Sequence, residues 1–81
     1  MTSYESFLKH LVDELFDDAA RQNMTWDRFA EAAGTSKSTV YRLGSRITRF
    51  PRIDTIYKLS KAVGKDVKII KRRFKHYVRA A

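Results

Sequence analysis

Residues Thr25–Leu43 read TWDRFAEAAGTSKSTVYRL, and this punctuation predicts two short helices joined by a tight turn. Thr25 is a good N-cap, since its hydroxyl can accept from a backbone N–H that the first turn leaves unpaired. From Trp26 to Ala33 the apolar Phe29, Ala30 and Ala33 share one helical face. Gly34 stops that helix, because glycine takes a positive φ without a steric penalty. Ser36 is the natural N-cap of the next helix, which reaches Leu43. There Val40 and Leu43 are apolar, while Lys37, Ser38, Thr39, Tyr41 and Arg42 are polar or amphipathic. Such a corner leaves one donor-rich helix face free to read a partner. Trp26 and Phe29 are assigned to the core or the cap rather than to base stacking.

On the N-terminal side, Tyr4–Arg21 reads as an amphipathic helix. Phe7, Leu8, Leu11, Val12, Leu15, Phe16 and Ala19 fall at helical spacing. Thr2 and Glu5 have the form of a capping box. Asp13, Glu14, Asp17 and Asp18 mark the outer face, and no neighbour in sequence is placed to tune Glu14 or Asp17 as an acid–base pair. On the C-terminal side Gly44 is expected to end the second motif helix. The loop Ser45–Phe50 carries Arg46 and Arg49, and Pro51 closes it. A further helix from about Asp54 to Val63 buries Ile56, Leu59 and Val63 and stops at Gly64. The remainder, Lys65–Ala81, has two readings. As a helix it aligns Val67, Ile70, Phe74, Tyr77 and Val78 against Lys68, Arg72, Lys75 and Arg79. As a strand it uses the β-branched run Val67, Ile69 and Ile70. Residues 1–64 therefore read as the main unit and 65–81 as a basic tail.

With 81 residues the chain forms one small domain, and without cysteine it has no disulfide or cysteine–zinc staple. His10 and His76 are far apart, so no metal site is expected. No apolar run approaches the ~18 residues of a spanning helix, which makes a cytoplasmic protein without a membrane partner the expectation. No nucleophile–base pair or phosphate loop is present, so neither enzymatic activity nor a cofactor is expected. The net charge of +8 is strongly segregated: residues 1–33 hold three basic and seven acidic side chains, residues 34–81 fourteen and two. Segregation of this kind points to a polyanionic partner.

The stretch quoted first resembles the helix-turn-helix of the Cro and lambda-repressor-like (XRE) family. Ala30, Gly34, Val40 and Leu43 match its small, turn, β-branched and last apolar positions. Arg49, Phe50, Pro51 and Arg52, then Asp54-Thr55-Ile56 and Leu59 to Gly64, are similar to the family's loop and fourth helix. The likeness covers roughly residues 7–64 and implies a mainly α, lambda-repressor-like core of four helices that binds double-stranded DNA. It implies that Lys37, Ser38, Thr39, Tyr41 and Arg42 reach base edges in the major groove. Phosphate would be held at the helix starts Thr25 and Ser36 and by Arg46, Arg49 and Arg52. Beyond Gly64 some members of the family continue as a strand, which tips residues 66–74 toward a short strand over a fifth helix. An unpaired strand would join a second copy across a two-fold axis, placing Val67, Ile69, Ile70 and Phe74 in a dimer interface. The leading expectation is a transcriptional regulator of repressor type. An antitoxin-type interaction protein is the alternative, favoured by a first helix longer and more acidic than the family usually shows; that acidic face would meet a protein partner. RNA or anionic-membrane binding through the tail is a weaker third, carried by Phe74 and Tyr77 among lysines.

Overall fold

The predicted starts of the two motif helices find their caps in the computed structural model, which describes residues 3–80. Five helices follow in order: α1 (Tyr4–Arg21), α2 (Trp26–Ala33), α3 (Lys37–Gly44), α4 (Ile53–Ala62) and α5 (Val67–Ala80). The protein is mainly α, and no strand forms among the described residues. The Ser3 hydroxyl caps α1 by accepting from the Ser6 N–H at 3.1 Å. The Thr2–Glu5 box involves Thr2, which lies outside the described residues.

The core is built from the apolar faces the spacing predicts. Leu8, Leu11, Val12, Leu15 and Ala19 of α1 are buried with Phe29, Ala30 and Ala33 of α2. Val40 and Leu43 of α3, with Ile56, Leu59 and Val63 from α4 and its cap, complete that cluster. Ser60 is the one buried polar side chain there, and its hydroxyl donates to the Ile56 carbonyl at 2.7 Å. Burial without this bond would leave a costly unpaired group. The Gln22 amide donates to the Val63 carbonyl at 2.9 Å, tying the α1–α2 turn to the end of α4.

The tail corrects the strand expectation. Residues 67–80 form a helix, and its start is fixed by Asp66, whose carboxylate accepts from the Lys68 N–H at 2.9 Å. Ile70 is 1% exposed and belongs to the core, Phe74 packs against it, and Ile69 is 54% exposed. A strand would put Ile69 and Ile70 on opposite faces as well, but only a helix carries Ile70, Phe74 and Tyr77 along one stripe. Phe7 of α1 meets Phe74 edge-on at 5.1 Å and stacks on Tyr77 at 4.8 Å between ring centres. The fifth helix thus closes over the first, and through Ile70 it joins the main core. Edge-strand pairing has lost its premise, since Ile70 and Phe74 are already covered within their own chain.

Candidate nucleic-acid interface

The α2–turn–α3 unit is assembled by local bonds that sequence chemistry dictates. The Thr25 hydroxyl accepts from the Arg28 N–H and the Ser36 hydroxyl from the Thr39 N–H, each at 3.1 Å. Gly34 adopts φ +67°, and the N–H groups of Gly34 and Thr35 return to the carbonyls of Glu31 and Ala30. Val40 and Leu43 anchor α3 from its inner side. Gly44 has a second part besides the one its sequence position suggests. It is the last residue of α3, as expected, and an ideal Cβ there would stand 2.6 Å from the Trp26 ring. Trp26 therefore covers the end of α3 as a cap residue, meeting Phe16 edge-on at 5.7 Å.

With Val40 and Leu43 inward, the 3.6-residue turn points Ser38 furthest out. Tyr41 lies on the flank toward α2 and Arg42 on the opposite flank. Ser38, Lys37, Tyr41 and Arg42 are exposed, whereas Thr39 is half-buried and its hydroxyl shares a hydrogen bond with that of Ser36 at 2.8 Å. Thr39 is thereby engaged in the cap. The α2 flank holds a residue the sequence did not single out. Asp27 accepts from the Tyr41 hydroxyl at 2.8 Å through Oδ1, and the Lys37 ammonium lies 3.6 Å from Oδ2. The hydrogen bond and negative charge of Asp27 raise the Tyr41 pKa above its ordinary 10.0, because both oppose loss of the phenolic proton. Trp26 meets the Tyr41 ring edge-on at 5.3 Å. An acid in the first turn of a helix is explained by the helix dipole alone, so the linear sequence carried no signal for this second use.

The α3–α4 loop presents three arginines in unequal states. Arg46 takes φ +60° and its guanidinium lies 3.3 Å from Asp13 of α1. Arg49 and Arg52 are exposed and form no ion pair among the described residues. Ile47 and Phe50 beside them are also exposed. At the helix starts the Thr25 and Ser36 hydroxyls are occupied by capping, which leaves backbone N–H groups of the first turn as the donors for an anion.

The acidic face of α1 is largely occupied by its own chain. Arg73 grips Glu14 with two bonds, at 2.6 and 3.1 Å. Lys65 lies 3.6 Å from Glu14 and 3.1 Å from Asp18, whose other oxygen meets Arg21 at 3.1 Å. The Asp18–Lys65 contact is close but not aligned as a hydrogen bond, leaving Oδ2 without a formal donor. Glu14, expected to be an untuned solvated charge, is held below the ordinary carboxylate value by its hydrogen bonds to Arg73; partial burial opposes this, and the charges of Arg73 and Lys65 reinforce it. Asp17 is exposed. Of the four residues assigned to a dimer surface, Ile70 is buried, Val67 and Phe74 are half-buried, and only Ile69 is exposed. On the outside of α5, Lys68, Arg72, Lys75 and Arg79 are all exposed.

Among the described residues no helix is long and apolar enough to cross a membrane, and no three metal-ligating side chains are gathered. In comparison with known proteins, no family model, curated protein or solved structure matches the chain.

Proposed function

We propose that this protein is a small transcriptional regulator of the helix-turn-helix type that binds double-stranded DNA sequence-specifically and represses by occupying its site. The observation that carries this reading is the two-sided character of α3. Val40 and Leu43 fix its inner side, its start is capped by Ser36, and Ser38, Tyr41 and Arg42 project from the outer side. A helix held this rigidly can enter the major groove without losing its side-chain positions. Arg42 then meets guanine, to which a guanidinium donates two bonds, and Ser38 meets a neighbouring base edge. Arg49 and Arg52, unencumbered by acids, hold phosphate and set the register. Arg46 must first leave Asp13, so its contribution is smaller. The sign of the surface supports the same partner, since Arg49 and Arg52 of the loop and Lys68, Arg72, Lys75 and Arg79 of α5 stay outward while Asp13, Glu14 and Asp18 of α1 are met by cations of the same chain. That internal pairing also weighs against the antitoxin-type alternative, which required a free acidic face on α1.

Selection of bound duplexes from a random pool tests the proposal. The protein should enrich one short sequence, and Arg42→Ala should weaken discrimination at one position by ~1–3 kcal/mol. A protein that retains duplexes without enriching any sequence would be a non-specific polyanion binder, and the regulator reading would fail.

A further inference from the structure

Asp27 stands where a carboxylate is a liability for a DNA-binding surface. It sits beside α3, on the flank that would face the groove wall, and a negative charge there repels phosphate. A purely mechanical role does not account for it. Both of its partners are exposed, and exposed ion pairs add little to stability. The α2–α3 junction is already held by Phe29, Ala30, Val40 and Leu43, all buried, and by the Trp26–Gly44 contact. What Asp27 does achieve is chemical. A phenolic hydroxyl has one proton to donate and lone pairs that accept. The Tyr41 proton is directed at Asp27 Oδ1, so the hydroxyl faces outward as an acceptor only. In the major groove the donors are the N6 amino group of adenine and the N4 amino group of cytosine, whereas guanine and thymine present acceptors.

We propose that Asp27 is a specificity-determining residue: by taking the Tyr41 proton it makes that hydroxyl select a base bearing an amino group, and by holding Lys37 it keeps a promiscuous cation off the bases. Tyr41 as a residue remains 46% exposed while its hydroxyl is bound to Asp27. Lys37, a compact charge with three rotatable donors, would otherwise contact guanine acceptors or any phosphate within reach. Asp27 thus suppresses indiscriminate affinity and converts Tyr41 into a reader. This role presupposes the DNA-binding function proposed above.

Three variants separate the two effects, each checked first for an unchanged helical spectrum and melt. In the random-duplex selection the parent should enrich adenine or cytosine at one position. Asp27→Ala should admit guanine and thymine there, and should steepen the salt dependence of binding by about one unit as Lys37 turns to phosphate. Asp27→Asn keeps an acceptor for the Tyr41 hydroxyl but removes the charge, so it should steepen the salt dependence while retaining the base preference. Tyr41→Phe should lose the preference at that same position with the salt dependence unchanged. Unaltered selection and salt slope in both Asp27 variants, from a parent that does enrich a sequence, overturn the assignment. A parent that enriches nothing overturns the DNA-reading function itself. In that event ultraviolet titration of the phenols still shows whether Asp27→Ala lowers the Tyr41 pKa, which separates a missing contact from a missing function.

Discussion

Two glycines of the α2–turn–α3 unit do opposite jobs. Gly34 has open space around its Cα but a φ of +67°, whereas Gly44 has helical backbone and the Trp26 ring where a Cβ would go. Gly34→Ala should therefore lose ~1–2 kcal/mol to left-handed strain, whatever stands at position 26. Gly44→Ala should lose ~1–3 kcal/mol by overpacking, and a smaller residue in place of Trp26 should recover part of it. Thermal unfolding of the two single variants and of Gly44→Ala with Trp26→Val distinguishes them. The conformational role of Gly34 was legible in the sequence, since a stop between two capped helices demands it. That of Gly44 was not, because a close approach from α2 leaves no local mark. Glu14 offers a second test at this scale. Its pKa in the folded protein lies below the ordinary 4.5, so folding favours the ionised form. The stabilisation is complete above about that ordinary value and disappears as pH falls through the lowered one. Solvent screens a carboxylate this exposed, so the effect is small. Denaturant titrations below neutrality should show Glu14→Gln flattening the acid limb of the stability curve, and an unchanged limb would leave the Arg73 contact without energetic weight.

At the scale of elements, the boundaries of α1, α2 and α4 were readable to within a residue or two, because caps, glycines and 3.6-residue spacing agree there. The segment after Gly64 was not, because Val67, Ile69 and Ile70 suit a strand locally while Ile70, Phe74 and Tyr77 suit a helix over a longer span. Tertiary packing decided it: Ile70 enters the core shared by α1 and α4, and no second strand exists among the described residues to pair with a first. In the α3–α4 loop the sequence treats Arg46, Arg49 and Arg52 alike, and the fold does not. Arg49→Ala and Arg52→Ala should each flatten the salt dependence of DNA binding by about one unit. Arg46→Ala should do less, since its guanidinium is already shared with Asp13. Equilibrium binding across a salt series checks this, and equal slopes for all three variants and the parent would turn attention to the outer cations of α5.

For the whole molecule, charge that is segregated along the chain is partly reunited in space. Arg73, Lys65 and Arg46 come from the basic half and meet Glu14, Asp18 and Asp13 of the acidic half. The segregation of charge was legible from composition, but which cations remain exposed was not, because pairing depends on how α5 and the loop lie against α1. Removing residues 66–81 should abolish cooperative folding. Losing a buried Ile alone typically costs ~2–5 kcal/mol, a large part of the ~5–15 kcal/mol that stabilises a domain, and Phe74, Tyr77 and Arg73 leave with it. Circular dichroism melts of the shortened chain check this, while sedimentation of the full chain without DNA should give a monomer. A stable free dimer would mean that Ile69 and Val78, exposed on α5, are covered by another copy. The clasp of Phe7 and Tyr4 on Tyr77 has a temporal consequence. During synthesis α1 is made before α5, the helix that completes its shelter. At roughly 5–20 residues per second, the nascent chain carries the Phe7–Leu8–Leu11 face uncovered for several seconds. The charges on the outer side of α1, Asp13, Glu14, Asp17 and Asp18 with Lys9, keep that segment in water until α5 has been made and packs against it.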